Sequence, residues 1–382
     1  MKILYLTMES VETDPILNSQ VIPLLEKISM DVLIDTVTLV TFETNGIEIS
    51  NNTFNHKPII KKGKINSQIQ LLKFLLLNRK GYDVIHVRSY MPMFISIIVK
   101  KILNKRLVFD PRGLFADEVL YDYKATSFFN VKKYLAKTIK LVEPYLYNQS
   151  DSVVLVSNFF KDYIVDKYHV NRDKCFVIPT FSVPPHRNNN DQYVSFRSTN
   201  KWEDKIVICY SGSLEKWQQI DEILHFCKYA STYSNKFRFC FFSKDISAIK
   251  EKVSNYIPSS LCFFGSFVPA ELTMALSEGD YGLLFRDKSI VNQVAAPIKF
   301  KDYLCSGLEV IVNQNIGDCA EVLNDTGFGF VIDGDLTQPS VILDKMSLRS
   351  LERKNEISKV ATKNYGLQTS FESYLSIYKG LL

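Results

Sequence analysis

Short apolar runs recur along this chain, and between them apolar residues return at spacings of three and four. Runs of the first kind read as buried strands, and the wider spacing as helices that cover them. In the first half the pattern predicts strands near residues 2–7, 33–42, 83–88, 106–110, 152–156 and 175–178. A second series follows near 205–211, 237–242, 261–264, 281–285, 308–313 and 328–332. Strand and helix alternating in this way point to an α/β chain with parallel sheets. IPTFSVPPHRNNNDQ, residues 178–192, breaks the pattern with prolines and polar side chains and reads as an interdomain linker. A chain of 382 residues exceeds one ordinary core, so two doubly wound domains are expected. The last stretch, YGLQTSFESYLSIYKGLL, carries aromatics at helical spacing, which reads as packing.

The stretch AAPIKFKDYLCSGLEVIV, residues 295–312, carries the most information. It predicts a helix opened by Pro297 in its first turn, stopped by Gly307, and followed by a buried strand. Lys299 and Asp302 share one face of that helix, while Phe300 and Leu304 share another that suits a sheet. The positive N-terminal end and Lys299 suit a phosphate. Asp302 falls roughly 7 Å further along the axis, about the reach from a diphosphate to its ribose.

This segment resembles the sugar-nucleotide motif of family-four glycosyltransferases, which have two facing Rossmann-like domains, the GT-B fold. Ala296, Pro297, Ile298 and Lys299 stand where many members have serine, proline, threonine and lysine; Asp302 and Tyr303 replace a glutamate and tyrosine. Ala296 offers no capping side chain, and Asp302 is one methylene shorter than the glutamate. The resemblance implies an acceptor-side domain over 1–180, a nucleotide-sugar domain over 181–366 and a helix over 367–382 crossing back onto the first domain.

Ligands of doubly wound domains gather beyond the carboxyl ends of strands, and that rule selects the remaining candidates. After IVICYSG, Gly212 supplies the family's glycine and Lys216 the lysine that grips the donor diphosphate, or a surface lysine. Ser213 occupies the usual arginine position, and Arg286, ending YGLLFR, is a substitute source of that charge. FGSF, 264–267, matches the place where the backbone holds the base, with Phe267 or Val268 beside it, or is a plain turn. NIGD, 315–318, resembles a loop near the transferred sugar, or Asp318 caps a helix. In IHVRSY and FDPRGLFADE, Arg88, Asp110 and Arg112 should point into a cleft, with an Asp110–Arg112 pair that only shapes the loop as the alternative. Asp117 and Glu118 orient an acceptor or cap the next helix, and Glu143 is a weaker candidate. His86, inside an apolar strand, reads as a core residue.

By this resemblance the leaving phosphate takes the acceptor proton in retaining members, with Lys216, Lys299 and the helix end stabilising the diphosphate; in an inverting enzyme Asp110 is the base candidate. No cofactor or metal is implied. Asp333-Gly334-Asp335 reads as a surface turn, and YLTMES lacks the glycines of an NAD site.

Charge changes the picture in one place. Residues 57–140 hold eighteen Lys or Arg against five carboxylates, whereas residues 1–56 hold two against eight. The excess reads as solvated helix faces or as attraction to an anionic surface, membrane lipid or a pyrophosphate-linked acceptor. No nucleic-acid motif accompanies it. With no signal peptide visible and seven cysteines in no metal or disulfide spacing, a cytoplasmic setting is expected, peripheral on the inner face of the membrane. The expected function is transfer of a hexose-type sugar from a nucleotide diphosphate to a hydroxyl of a lipid-linked glycan, in surface polysaccharide synthesis. A sugar-nucleotide epimerase and a non-catalytic partner subunit are the alternatives.

Overall fold

A computed structural model describes residues 1–46, 48–122, 131–185, 194–333 and 339–382. Residues 186–192 of the expected linker, and Gly334 and Asp335, lie outside the described residues. The chain divides into two units, Met1–Pro179 with Ser370–Leu382, and Thr180–Thr369.

The first unit is built on β1 (Lys2–Thr7), β2 (Thr36–Glu43), β3 (Asn55–Ile60), β4 (Val84–Arg88), β5 (Arg106–Phe109), β6 (Ser152–Leu155) and β7 (Cys175–Val177). Its helices are α1 (Ile22–Ser29), α2 (Lys64–Leu77), α3 (Tyr90–Leu103), α4 (Phe115–Asp122), α5 (Val131–Gln149) and α6 (Asn158–Tyr168). The strands form one parallel sheet in the order β3-β2-β1-β4-β5-β6-β7. Strand β4 is buried throughout and β1 nearly so, because helices cover both faces. Strand β3 was not among the predicted strands. Pro58 interrupts its sequence, and an edge strand is where a residue without an N–H is tolerated.

In the second unit the strands are β8 (Ile206–Ser211), β9 (Phe237–Phe242), β10 (Cys262–Gly265), β11 (Tyr281–Leu284), β12 (Glu309–Asn313) and β13 (Gly329–Ile332). The helices are α7 (Phe196–Thr199), α8 (Ile220–Tyr233), α9 (Ile246–Ser254), α10 (Pro269–Ser277), α11 (Ile290–Val294), α12 (Ile298–Cys305), α13 (Cys319–Thr326), α14 (Ser340–Lys345) and α15 (Leu351–Tyr365). The parallel order β10-β9-β8-β11-β12-β13 repeats the doubly wound scheme, with β8 and β11 meeting where the winding reverses. Alternate residues of β8 feed two cores: Ile206, Ile208 and Tyr210 face one, Val207 and Cys209 the other.

Helix α12 sits where the sequence predicts. Phe300 and Leu304 are buried in the core, and Gly307, at φ +85°, ends the helix in the left-handed region. Pro297 stands one residue ahead of the expected first turn, as the N-cap, with no side-chain cap bond. The Tyr303 ring lies against Gly282, where a Cβ would come within 2.4 Å, so the helix packs close on β11.

A last helix, α16 (Leu367–Lys379), follows Gly366, and its residues from Ser370 onward belong to the first unit. Tyr374 and Tyr378 are buried there, as the packing reading of the C-terminal aromatics expects.

Candidate functional site

In the second unit, the carboxyl ends of β8 and β11 carry the chemistry. Tyr210 ends its side chain in a hydrogen bond to the Ser213 carbonyl, 2.6 Å. That contact turns the chain sharply at Gly212, whose φ of +151° favours glycine. A Cβ on Gly212 would stand 2.3 Å from Lys299 Nζ, so this glycine makes room for the amine. Lys299 reaches over the Tyr210 ring, 4.9 Å from its centroid, and donates to Gln218 Oε1 at 2.6 Å.

Arg286 arrives from the end of β11. Asn313, ending β12, holds its backbone from both sides, accepting from its N–H at 2.9 Å and donating to its carbonyl at 2.6 Å. The guanidinium donates to the Trp217 carbonyl at 2.7 Å and to Gln218 Oε1 at 2.8 Å. Two buried cations therefore converge on one neutral amide oxygen. Burial, and after it the charge of Arg286, pushes the Lys299 amine well below the ordinary lysine range. Among the described residues no carboxylate lies within ion-pair distance of Lys299. The charge of Asp302 offsets only part of the cost of a buried ammonium, and an incoming anion would offset more.

The other donor-side candidates surround this centre unevenly. Lys216 is exposed, on the single helical turn that ends in Gln218, and Ser213 is exposed beside it. The Ala296 carbonyl accepts from Thr180 Oγ1 at 3.1 Å, just ahead of the uncapped first turn of α12. Asp302 accepts from Ser182 Oγ at 2.6 Å, and burial raises its carboxyl to about 6. Phe267 packs its ring over Gly265 and against Phe242, 5.6 Å between centroids, while Val268 is exposed as the N-cap of α10. Asn315 and Gly317 both have positive φ, and Asp318 stands at the N-cap of α13 without a side-chain cap bond. The structure thus joins Lys299 and Arg286 through Gln218, with Gly212 against the Lys299 amine, and leaves Asp302 and Phe267 with other partners and Val268 exposed. Gln218, Tyr210 and Asn313 were not anticipated. Nothing in a neutral amide marks Gln218 in the sequence except its place beside Lys216 and Trp217.

In the first unit the strand-end charges are turned inward. Asp110 is fully buried at the end of β5, accepting from Tyr374 of α16 at 3.0 Å, with Arg112 at 3.3 Å and His86 Nε2 at 3.6 Å. Although burial favours the neutral acid, Arg112, His86 and Arg88 outweigh it and hold this carboxyl below the usual range. A fully buried carboxylate held anionic is poorly suited to take a proton, so the structure offers no support for Asp110 as a base. Arg112 holds φ +62° to reach it, which fits the pair that shapes the loop. Arg88 is buried against Glu9, 3.2 Å. His86 is a core residue, stacked on Tyr5 at 4.4 Å between centroids and bonded through Nδ1 to Tyr378 at 2.8 Å. Asp117 pairs with Lys140, and the Glu118 carboxylate lies over Gly113. Glu143 is buried, accepts from Tyr168 at 2.8 Å, and is pushed by burial up to about 7. No cluster of three or more metal-ligating side chains occurs among the described residues.

Two parallel doubly wound units, with cations at the switch point of the second, define the GT-B architecture. Solved structures agree over full length. Sucrose-phosphate synthase from Thermosynechococcus elongatus is similar at TM-score 0.72 and 12% identity, covering 100% of this chain and 99% of that one. Anabaena Alr3699/HepE in complex with UDP is similar at 0.70 and 12%, covering 100% of both. The lipopolysaccharide outer core galactosyltransferase WaaB, apo form, is similar at 0.65 and 11%, again covering 100% of both. No curated protein matches by sequence. Residues 36–181 match the family model described as Glycosyltransferase Family 4.

Proposed function

We propose that this protein is a glycosyltransferase that takes a hexose-type sugar from a nucleoside diphosphate and passes it to a hydroxyl of a glycan. The observation that carries the reading is the pair of buried cations, Lys299 and Arg286, donating to one neutral oxygen on Gln218. A diphosphate is an anion that a guanidinium and an ammonium can hold together. Lys299, Arg286, the exposed Lys216 and the uncapped amides of α12 would hold the charge that develops on the departing diphosphate, the main source of rate in this scheme. Asp302 would accept from the ribose hydroxyls, and Phe267 or Val268 would border the base. UDP in the HepE structure and UDP-glucose in another HepE structure support a uridine donor by analogy of fold. A retaining course, with the leaving phosphate accepting the proton, fits the burial of Asp110. Arg88, Asp117 and Glu118 stay proposals for the acceptor side, as does a lipid-linked acceptor used in surface polysaccharide synthesis on the inner face of the membrane. Neither cofactor nor metal enters the scheme.

The test incubates the protein with UDP-, GDP-, CDP- and ADP-hexoses, with and without a bacterial lipid-linked glycan extract. Release of nucleoside diphosphate that requires the extract supports transfer. Conversion of the donor sugar without any extract would favour the epimerase, and no turnover with any donor would favour the partner subunit.

A further inference from the structure

Helices α2, α3 and α5 pack side by side in the first unit. A helix on a water-facing surface normally turns a polar face outward, and these do the reverse. On α2, Ile65, Ile69 and Leu77 lie along one outward stripe, with exposures of 79%, 47% and 84%. Ile98 and Ile102 continue it on α3, at 46% and 64%. On α5 the stripe is Tyr134, Leu141 and Tyr145, and Leu141 is 82% exposed. Lys101 joins two of the helices on this outer side, its amine 3.0 Å from the Tyr145 hydroxyl.

The charge of the same helices is one-sided. Among the residues of α2, α3 and α5 the one carboxylate is Glu143, and it is buried. Lys100 and Lys140 are turned into ion pairs with Asp151 and Asp117. Lys73 and Lys137 are exposed within the apolar stripes, and Lys61, Lys62, Arg79 and Lys80 flank the two ends of α2. Apolar side chains interleaved with long cationic ones, and no outward carboxylate, form the pattern of a surface that lies in a lipid interface.

We propose that the outer face of α2, α3 and α5 is seated on an anionic bilayer, its isoleucines and leucines in the acyl boundary and its lysines at the headgroups. The occupant is a lipid surface rather than a protein, because a protein groove for these stripes would need carboxylates to meet the lysines, whereas an anionic bilayer supplies negative charge everywhere. No helix among the described residues is long and apolar enough to cross a membrane, so the attachment is peripheral. This extends the lipid-linked acceptor reading but needs neither donor nor turnover, so the two fail separately.

The experiment is co-sedimentation of the full chain with vesicles of phosphatidylcholine alone and of phosphatidylcholine containing phosphatidylglycerol. Wild type should pellet with the anionic vesicles at low salt and return to the supernatant as salt rises. Replacing Lys73, Lys101 and Lys137 by Gln should weaken binding about fivefold per lysine, roughly a hundredfold together. The apolar variant I65Q/I102Q/L141Q should lose binding as well, with its thermal unfolding unchanged because all three residues are exposed. Wild type remaining in the supernatant at low salt would overturn the proposal. So would equal binding to both vesicle types, or a vesicle-independent dimer that the apolar variant disperses.

Discussion

Replacing Lys299 by Met should make the unliganded protein more stable and at the same time remove its response to nucleoside diphosphates. Methionine matches the length and flexibility of the lysine stem. The substitution deletes the donor to Gln218 Oε1, a charged hydrogen bond of about 1.5–3 kcal/mol, and an amine–ring contact with Tyr210 of about 1–2 kcal/mol. Gln218 Oε1 keeps Arg286 as a donor, so no acceptor is orphaned. Against these losses stand several kcal/mol of desolvation and the repulsion from Arg286, both of which push the amine's pKa down. The lowered pKa means that these penalties outweigh the two contacts, so the expected sign is a gain, read as a Tm rise of roughly 2–4 °C per kcal/mol for a unit of this size. With pKa lower in the folded than in the unfolded state, the wild type binds fewer protons when folded, so its stability rises with pH toward the ordinary lysine value; the variant loses that slope. Diphosphate at one hundred times the wild-type dissociation constant adds about 2.7 kcal/mol to wild type. If loss of the ammonium weakens binding about a hundredfold, the same concentration adds only about 0.4 kcal/mol to the variant. The assay is thermal unfolding of both proteins with and without UDP, GDP, CDP and ADP. A variant that is less stable without ligand and responds as wild type does would refute the reasoning, and Lys299 would then be a structural lysine.

Gly212→Ala should mimic that loss of response, because the new Cβ falls 2.3 Å from Lys299 Nζ; dissociation constants that match wild type would contradict it. Asp302, raised to about 6 by burial, becomes a carboxylate only above that pH, so diphosphate affinity measured by calorimetry should climb as pH rises through about 6 and be flat in Asp302→Asn. Glu143, pushed up to about 7 from an ordinary 4.5, binds its proton more tightly in the folded state. Its stabilising contribution is therefore full below about 4.5 and is lost as pH rises to about 7, a change of about 3 kcal/mol. Glu143→Gln should flatten urea midpoints across that range, and an unchanged slope would reject the assignment.

How much of this was legible before the structure depends on how local each signal is. Helix α12 was legible because a proline, a glycine and a four-residue apolar spacing all lie within one short stretch. The strands other than β3 were legible for the same reason, whereas Pro58 masked β3, whose tolerance of proline depends on being at the sheet edge. The partners of the candidates were not legible. Asp110 and His86 are covered by Tyr374 and Tyr378, 264 and 292 residues away, so strand-end charges read as aimed outward are buried under the terminal helix. Gln218 was invisible for a different reason: an amide has no characteristic pattern, and its role exists only because two cations meet it. The lysine excess over residues 57–140 could be counted in the sequence, but its concentration on three apolar helix faces needed the exposures.

The central claim is that Lys299 and Arg286 hold a nucleoside diphosphate. The most direct test is calorimetric titration of UDP, GDP, CDP and ADP, each into wild type and into Lys299→Met at neutral pH. One diphosphate binding wild type, with affinity reduced about a hundredfold in the variant, is the result expected. No binding to wild type by any of the four, or equal binding by both proteins, would contradict it.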